Sequence, residues 1–521
     1  PYKDAFNYYN GSRFILKGDR IPGSRWQAAW RPLFPGFFSA LLLFMRQNLK
    51  WSLALLTWLT AWSTFLAAEQ IYRSMGRMAA SAFAVLTYLF LQPMIGVPLT
   101  EPHGLLLGTL GFLLIWYAAR HINLLAFLAG ILVLMTGVSS RAGAFFIFPM
   151  LILWSGFAFR KDRRFNLPVA AAALAVTVGS YLLVNNVFPW IIVGEGPGKE
   201  TFGNFAYTLY GQVMGGTGWG STHDLGLQDS GDIYRVIIRE FLDNPSGLMI
   251  GMGRSYADFF LPGARGIFSF SPPAGPGIID MGIWYAALLL LGYSTVHLYR
   301  SRRNAVCALL LFALAGILLS VPFLPPRDGG NRFYASTMPF FFAALAAGLT
   351  LKSDPEKKSE LPPFGFASLL TQSGILLLLT MAAPLAIILA KNGKELKPEA
   401  PSCPQGQVPF SFQLYEGSYI DIHPDNSDCG IVPDLCLQDF TAYGTEADID
   451  PFYDELAATA SEWPDAFRIA PANDLVNGGI HFFAGSSSMM PTTNPDNLVQ
   501  GCAETTMIKS RSLYIIRSTN P

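Results

Sequence analysis

Ionisable side chains that border apolar segments are the residues of this sequence best suited to chemistry. Charged groups near a membrane interior are costly and commonly mark functional sites. Asp4 and Glu101 are carboxylates of a kind that serves as a general base or as an oxygen ligand of a divalent cation. Arg141, Arg327 and Arg332 carry planar guanidinium groups, which match the oxygens of a phosphate. These types indicate acid–base chemistry combined with anion binding.

Each of these residues also has a structural explanation. Asp4 could be a solvated loop residue, and Glu101 could be a carboxylate favoured by the positive end of a helix. The arginines could extend to a membrane surface, and Arg332 could form a structural salt bridge. His103 and His223 are more typical of hydrogen-bonded loop histidines than of ligands.

The composition indicates a membrane protein. Of 521 residues, 51% are hydrophobic and only 14% are charged, whereas soluble proteins carry charge on roughly a quarter of their residues. The mean hydropathy is +0.34. Lys and Arg together number 36, as do Asp and Glu, and this balance argues against a nucleic-acid-binding protein, which has a basic excess.

Apolar runs close to the length of a membrane-spanning helix recur along the chain. Because a backbone in lipid must satisfy its own hydrogen bonds, these runs are predicted to be helices. The predicted spans are about 51–72, 78–96, 104–119, 122–138, 142–159, 167–188, 276–297, 305–321, 336–351 and 366–390.

The basic residues between spans predict the orientation, since cytoplasmic loops are rich in Lys and Arg. All five basic clusters fall on one side of the predicted topology: Arg73/Arg77, Arg120, 160–164, Arg300/Arg302/Arg303 and Lys352/Lys357/Lys358. The protein is therefore expected in the cytoplasmic (inner) membrane of the cell. Because the next crossing runs inward, a preceding span or a cleaved signal peptide is expected before Pro1.

The topology divides the chain into five parts. Residues 1–50 form a first extracytoplasmic loop with an amphipathic helix, 51–188 form transmembrane helices, and 189–275 form a long extracytoplasmic loop. Residues 276–392 form further transmembrane helices, and 393–521 form a soluble extracytoplasmic domain. Gly and Trp in the loop at 215–220 suit either a mobile flap, a sugar-stacking surface or an ordinary interfacial loop.

The tail is predicted to be a small α+β domain with disulfides. Four of the five cysteines lie there, on the oxidising side, which fits two disulfides in any of three pairings. Strands are expected at Phe410–Leu414 and Ser512–Arg517, and a helix at Pro451–Trp463. Asp421, His423 and Asp425 alternate as metal ligands can, but alternate residues of an exposed strand have the same spacing. The four cysteines are Cys403, Cys429, Cys436 and Cys502.

Four motifs on the predicted outer side resemble the glycosyltransferase-C superfamily, which includes protein O-mannosyltransferases and aminoarabinose transferases. The resemblance covers about residues 1–350. The motifs are an acidic and aromatic first loop (4–9, 18–22 and 30–35) followed by an apolar helix at 36–45, Leu99–His103, Ser140-Arg141 with Phe148-Pro149, and 326–334 with Met338-Pro339.

The resemblance implies a polytopic α-helical fold and transfer of a sugar from a polyprenyl-phosphate donor on the outer face. It implies catalytic roles for Asp4 and Glu101, and binding of the donor phosphate by Arg141, Arg327, Arg332 and Tyr334. Membrane lipids and a glycan, lipid or protein acceptor are the expected partners, without nucleic acid, and a divalent metal cation is a candidate cofactor. The first loop has the single acid Asp4 where the mannosyltransferases have a pair, which leaves the acceptor and the metal open.

Three other functions are compatible with the sequence. An O-antigen ligase or polymerase would share the chemistry, but that class keeps its catalytic Arg and His in one late outer loop. A transporter would show matching halves with polar groups at mid-membrane, which the span pattern lacks. A non-catalytic membrane scaffold that presents the tail is the third.

Overall fold

The structure is a computed structural model of the chain. It describes residues 3–22, 26–141, 143–160, 164–194, 204–225, 230–261, 266–268, 278–350, 365–391, 400–414, 420–422, 467–474, 476–477, 480–486, 488–490, 498–508 and 511–519.

Helices make up most of the chain before residue 392. In the first half they are α1 Lys3–Lys17, α2 Trp26–Trp30, α3 Leu33–Phe44, α4 Leu49–Met75, α5 Arg77–Leu91, α6 Thr100–His121, α7 Leu124–Ser140, α8 Ile147–Ala158, α9 Leu167–Leu182 and α10 Phe188–Ile192. In the second half they are α11 Asn204–Val213, α12 Ser230–Asp243, α13 Pro245–Phe260, α14 Ile278–Arg300, α15 Ala305–Ser320, α16 Pro326–Gly329, α17 Met338–Ala346, α18 Phe366–Leu377 and α19 Ala383–Lys391.

Six of these helical segments are long and apolar enough to cross a membrane. They are Leu49–Met75, Thr100–His121, Leu167–Ile192, Met281–Arg300, Ala305–Phe323 and Phe366–Lys391. Helices occupy all ten predicted ranges, but those at Arg77–Leu91, Leu124–Ser140, Ile147–Ala158 and Met338–Leu349 are shorter than a full span. The structure therefore has the architecture of a polytopic helical membrane protein, with fewer full-length spans than hydropathy alone predicts.

Small residues bring α6 and α7 into close contact. Ile122 ends α6 in the left-handed conformation (φ 50°), and the Asn123 side chain caps α7 by accepting a hydrogen bond from the Ala126 amide at 2.9 Å. A Cβ atom added to Gly111 would lie 2.9 Å from the Leu134 amide nitrogen. One added to Gly108 would lie 2.0 Å from the Ser336 carbonyl oxygen. The Gly111 contact holds α6 against α7 in an antiparallel pair, and the Gly108 contact packs α6 against the turn before α17. The start of α6 and the end of α7 therefore lie at the same end of the bundle.

Two helices are continued through a π turn. Leu183–Val187 joins α9 to α10, and Leu378–Ala382 joins α18 to α19. In each, an amide bonds to the carbonyl five residues earlier: Phe188 to Leu183, and Ala383 to Leu378. Such turns are rare and occur often at functional sites.

The segment predicted as the long outer loop contains three helices, α11 to α13, around a small apolar cluster. This cluster includes the buried side chains of Ala206, Tyr210, Val213, Ile233 and Ile237. The sequence does not predict these helices, because their apolar stripes are short and separated by Gly and Asn.

The chain forms two compact units. One comprises residues 7–41 and 52–391, and the other comprises 1–6, 42–51 and 392–521. The second unit contains a six-stranded sheet in the order β1-β5-β6-β4-β3-β2. Its strands are β1 Val408–Gln413, β2 Ile420–Ile422, β3 Phe467–Asn473, β4 Ile480–Ser486, β5 Leu498–Ile508 and β6 Arg511–Thr519.

The sheet confirms both predicted strands and one disulfide. The predicted ranges 410–414 and 512–517 fall on β1 and β6, and the pairing is antiparallel except between β4 and β6. Cys403 is bonded to Cys502, which lies on β5 beside β1. Cys307, the cysteine outside the tail, is free. Cys429, Cys436 and the predicted helix at Pro451–Trp463 lie outside the described residues.

Candidate functional site

The most prominent charged site in the first unit is a buried cluster around Glu101. Its Oε1 lies 2.8 Å from Nε of Arg332 and 3.3 Å from Nη2 of Arg141. The side chain of Glu101 is fully buried and that of Arg141 is 2% exposed, whereas that of Arg332 is 32% exposed. One carboxylate thus faces two guanidinium groups, one of which is accessible.

The other atoms of the cluster are also engaged. Oε2 of Glu101 accepts a hydrogen bond from the Thr100 hydroxyl at 3.2 Å. Nε of Arg141 donates to the Arg332 carbonyl at 3.5 Å, and the guanidinium of Arg141 lies 4.8 Å from the ring centre of Phe333. These bonds orient the carboxylate and one arginine, so the cluster is rigid on its buried side.

Three distant segments build the cluster at one end of the helices. Glu101 lies in the first turn of α6, Arg141 directly follows α7, and Arg332 lies in a 3₁₀ turn shortly before α17. A Cβ on Gly104 would lie 2.7 Å from that of Arg141, so a glycine there permits the approach. The structure therefore brings together three of the residues chosen from sequence.

Two first-loop residues act on the same cluster. Arg31 interacts electrostatically with both Glu101 and Arg141, and Tyr8 interacts with Arg141. Tyr8 is buried and meets the Phe34 ring edge-on at 5.8 Å. Both residues stand in the motifs that carry the family resemblance, yet sequence analysis gave them no role. Arg31 raises the positive charge around the single carboxylate.

His103 lies beside the cluster as a buried structural group. One ring nitrogen is 2.7 Å from the Ser140 hydroxyl and the other is 3.2 Å from the Thr380 hydroxyl. The ring stacks on Phe37, with centres 4.3 Å apart. His103 was expected in a loop, whereas it lies inside α6 and ties the residue before Arg141 to another helix.

Both π turns support the end of α7. Thr380 lies in one of them and bonds His103, and Asn185 lies in the other and donates to the Ser139 hydroxyl at 3.0 Å. Ser139 and Ser140 immediately precede Arg141. The two π turns thus supply side chains that hold the carboxyl end of α7, next to Arg141.

Arg327 is bound elsewhere than at Glu101. Its Nε lies 3.3 Å from a carboxylate oxygen of Asp258, and its Nη1 donates to the Gly216 carbonyl at 2.9 Å. The neighbouring Asp328 accepts a hydrogen bond from the Trp219 amide at 2.8 Å. These contacts favour a structural role for Arg327 in fixing the Gly-rich segment.

Tyr334 is likewise suited to a structural role. It is fully buried, and its hydroxyl donates to the Leu324 carbonyl at 2.6 Å. Burial raises the pKa of Tyr334 well above its ordinary range, so the phenol stays neutral. Sequence cannot show which way a side chain in this turn points.

The remaining predicted residues, Asp4 and the three alternating residues of the tail, belong to the second compact unit. Asp4 lies in the first turn of α1, and its catalytic role stays a prediction. Asp421 lies on β2, whereas His423 and Asp425 lie outside the described residues. Within the described ranges, no group of three or more His, Cys, Asp or Glu side chains is arranged to hold a metal ion.

No protein-family model, curated protein or solved structure matches the chain. The site must therefore be interpreted from its own geometry.

Proposed function

We propose that the chain is a membrane glycosyltransferase that moves a sugar from a polyprenyl-phosphate donor to an acceptor on the extracytoplasmic face. The observation that carries the proposal is the excess of positive charge in the cluster of Glu101, Arg141 and Arg332. Two guanidinium groups meet one carboxylate, Arg31 adds a third cation nearby, and Arg332 is partly exposed. A site of this kind attracts an anion that carries more than one oxygen acceptor.

The proposed reaction increases the charge that the arginines face. An acceptor hydroxyl oxygen forms a bond to the anomeric carbon, while the bond between that carbon and the phosphate oxygen breaks. The bonding pair stays on the phosphate, which changes from a diester to a monoester with more negative charge. Arg332 and Arg141 then stabilise the leaving group more strongly than the bound donor, which is the condition for catalysis.

The two carboxylates receive different roles in this scheme. Glu101 is buried and held by both arginines and by Thr100, which suits a residue that positions the phosphate-binding groups. Asp4 is the candidate base that takes the acceptor proton. This assignment differs from the sequence-based one, which gave Glu101 a catalytic or metal-binding role.

Binding of the leaving group tests the proposal without knowledge of the sugar. Purified protein in nanodiscs is titrated with undecaprenyl phosphate and with undecaprenol, and bound lipid is counted by native mass spectrometry. We expect the phosphate to bind tighter, and Arg332→Gln to weaken it about ten- to a hundredfold, since a hydrogen bond to a charged group contributes about 1.5–3 kcal/mol.

Arg302→Gln is the matched control, because Arg302 is exposed and packs on Tyr299 at the end of α14. It should leave binding unchanged. Equal binding of the phosphate and the alcohol, or an Arg332→Gln variant that binds the phosphate like the parent protein, would show that the cluster is not a phosphate site.

The orientation is tested separately. A cysteine introduced by Ser301→Cys should react with a charged maleimide only after membrane permeabilisation, and one introduced by Thr505→Cys should react without it. The reverse pattern would place the cluster in the cytoplasm and contradict the proposed reaction.

A further inference from the structure

A cavity of about 580 Å³ lies at the end of the helices opposite to Glu101. It is formed by the carboxyl ends of α4, α6 and α14, the start of α15 and the turn after α17. Both sites include residues of α6, and the rise along this helix from Glu101 to Arg120 is about 28 Å at 1.5 Å per residue. Its lining is Arg73, Ser74, Met75, Ala119, Arg120, Ile122, His297, Asn304, Ala305, Val306, Cys307, Ala347 and Thr350.

The lining is basic. Arg73, Arg120 and His297 are contributed by three different helices, and within the described part of the chain no Asp or Glu lines the cavity. Glu69, one turn before Arg73 on α4, pairs with it from outside the lining. Nη1 of Arg120 donates to the Gln70 amide oxygen at 3.4 Å, a bond that uses one of the five donors of a guanidinium. Since Glu69 offsets the charge of Arg73, the net positive charge of the described lining comes from Arg120.

Helix ends explain only part of this arrangement. A basic residue in the last turn of a helix is stabilised by the helix dipole, which accounts for one such residue on each helix. The excess of Lys and Arg at the predicted cytoplasmic ends of membrane helices gives a second reason for basic residues here. What distinguishes this cavity is that basic side chains from three helices line it together. The start of α15 adds the positive end of a 16-residue helix, although Asn304 already accepts hydrogen bonds from the Val306 and Cys307 amides.

We infer that this cavity binds a phosphate ester, at a site separate from the Glu101 cluster and independent of the proposed transferase activity. Its volume lies within the range of small-molecule sites. The guanidinium group of Arg120 can bind phosphate oxygens, and that of Arg73, which also pairs with Glu69, adds a second set of donors from another helix. Met75, Ile122, Val306 and Ala347 supply an apolar wall for the rest of the ligand. The ligand is either the headgroup of an anionic lipid or a soluble phosphorylated molecule.

Cys307 gives a direct readout of occupancy. It is a free, partly exposed thiol in the lining, so a ligand in the cavity should slow its alkylation. The full-length protein in phosphatidylcholine nanodiscs is pulsed with a small maleimide, and modification of the peptide that contains Cys307 is followed by mass spectrometry. At ten times the dissociation constant, simple mass action predicts a rate about tenfold lower.

Two probes distinguish the sources of phosphate. Glycerol 3-phosphate is added in solution at constant ionic strength, and phosphatidic acid is added to the nanodisc. Protection by either supports the site, and the effective probe identifies the source. Arg120→Gln should abolish the protection, because it removes an exposed guanidinium of the lining with little effect on packing. Arg302→Gln, outside the lining, should retain it.

Three results would overturn the inference. The first is that neither probe slows the alkylation of Cys307. The second is that chloride at equal ionic strength slows the alkylation as much as the phosphate probes do. The third is that the effective probe still protects Cys307 fully in Arg120→Gln. Because Arg120 and Cys307 take no part in the Glu101 cluster, failure here leaves the binding of undecaprenyl phosphate through Arg332 unaffected.

Discussion

Replacing Glu101 by Gln should destabilise the protein strongly, because it leaves Arg141 buried without its counter-ion. The two side chains are 0% and 2% exposed and 3.3 Å apart. Removing one partner of such a pair typically costs about 3–5 kcal/mol, which raises the equilibrium constant for unfolding by about two to three and a half orders of magnitude. Arg332→Gln should cost about 1 kcal/mol or less, since that side chain is partly solvated and Glu101 still neutralises Arg141.

The double variant Glu101→Gln/Arg141→Met separates this cause from general disruption. Because it removes the unpaired charge as well as the carboxylate, it should be more stable than Glu101→Gln alone. Equilibrium unfolding in mixed detergent micelles, followed by tryptophan fluorescence, measures all four proteins of the cycle. The reasoning fails if Glu101→Gln unfolds within about 0.5 kcal/mol of the parent protein, or if the two single effects add.

Burial lowers the pKa of Lys17 from its ordinary 10.5 to about 8; the unfolded chain therefore binds more protons between these values, and stability should rise with pH there. Unfolding measured across this range should show a flatter dependence in Lys17→Met, and an unchanged slope would contradict the assignment. Reducing the disulfide between Cys403 and Cys502, which are 99 residues apart, should lower the free energy of unfolding of the sheet domain by about 4–5 kcal/mol. Non-reducing peptide mapping should find this pair, and equal denaturation midpoints with and without reductant would refute the predicted loss. Gly108→Ala should lower the thermal midpoint because its new methyl group would overlap the Ser336 carbonyl, whereas Gly179→Ala, in open space, should not. Equal midpoints would show that the close approach of α6 to Ser336 is absent.

Local patterns predicted the parts of the fold that depend on neighbouring residues. Continuous apolar runs located the helices, and short strand-like runs located the strands that became β1 and β6. Hydropathy could not separate full spans from short buried helices such as α17, because the same residues face protein or lipid. The pairing of Cys403 with Cys502 depends on the register of β1 against β5. Because the two cysteines are 99 residues apart in sequence, no local pattern predicts this register.

Charged residues at the ends of apolar runs allowed part of the site to be predicted from sequence. Glu101, Arg141 and Arg332 were chosen because each interrupts or borders an apolar run, and the structure places them together. The same reasoning selected Arg327, whose partners Asp258 and Gly216 are distant in sequence. His103 was assigned to a loop because α6 starts at Thr100, four residues before the apolar run predicted to begin at residue 104.

The π turn after α9 also determines how the chain can change length. Across the turn, Ser180, Val184, Phe188 and Ile192 are buried at every fourth position, with Asn185 and Pro189 buried beside them. Four residues of an α-helix overshoot a full turn by about 40°, and the wider turn compensates for the excess. Losing the exposed Asn186 would restore an ordinary α-helix and keep Phe188 and Ile192 facing inward. A deletion within α9 would instead rotate every later residue by about 100°. The turn therefore marks a position at which this membrane helix can gain or lose one residue over generations without exchanging its protein-facing and lipid-facing sides.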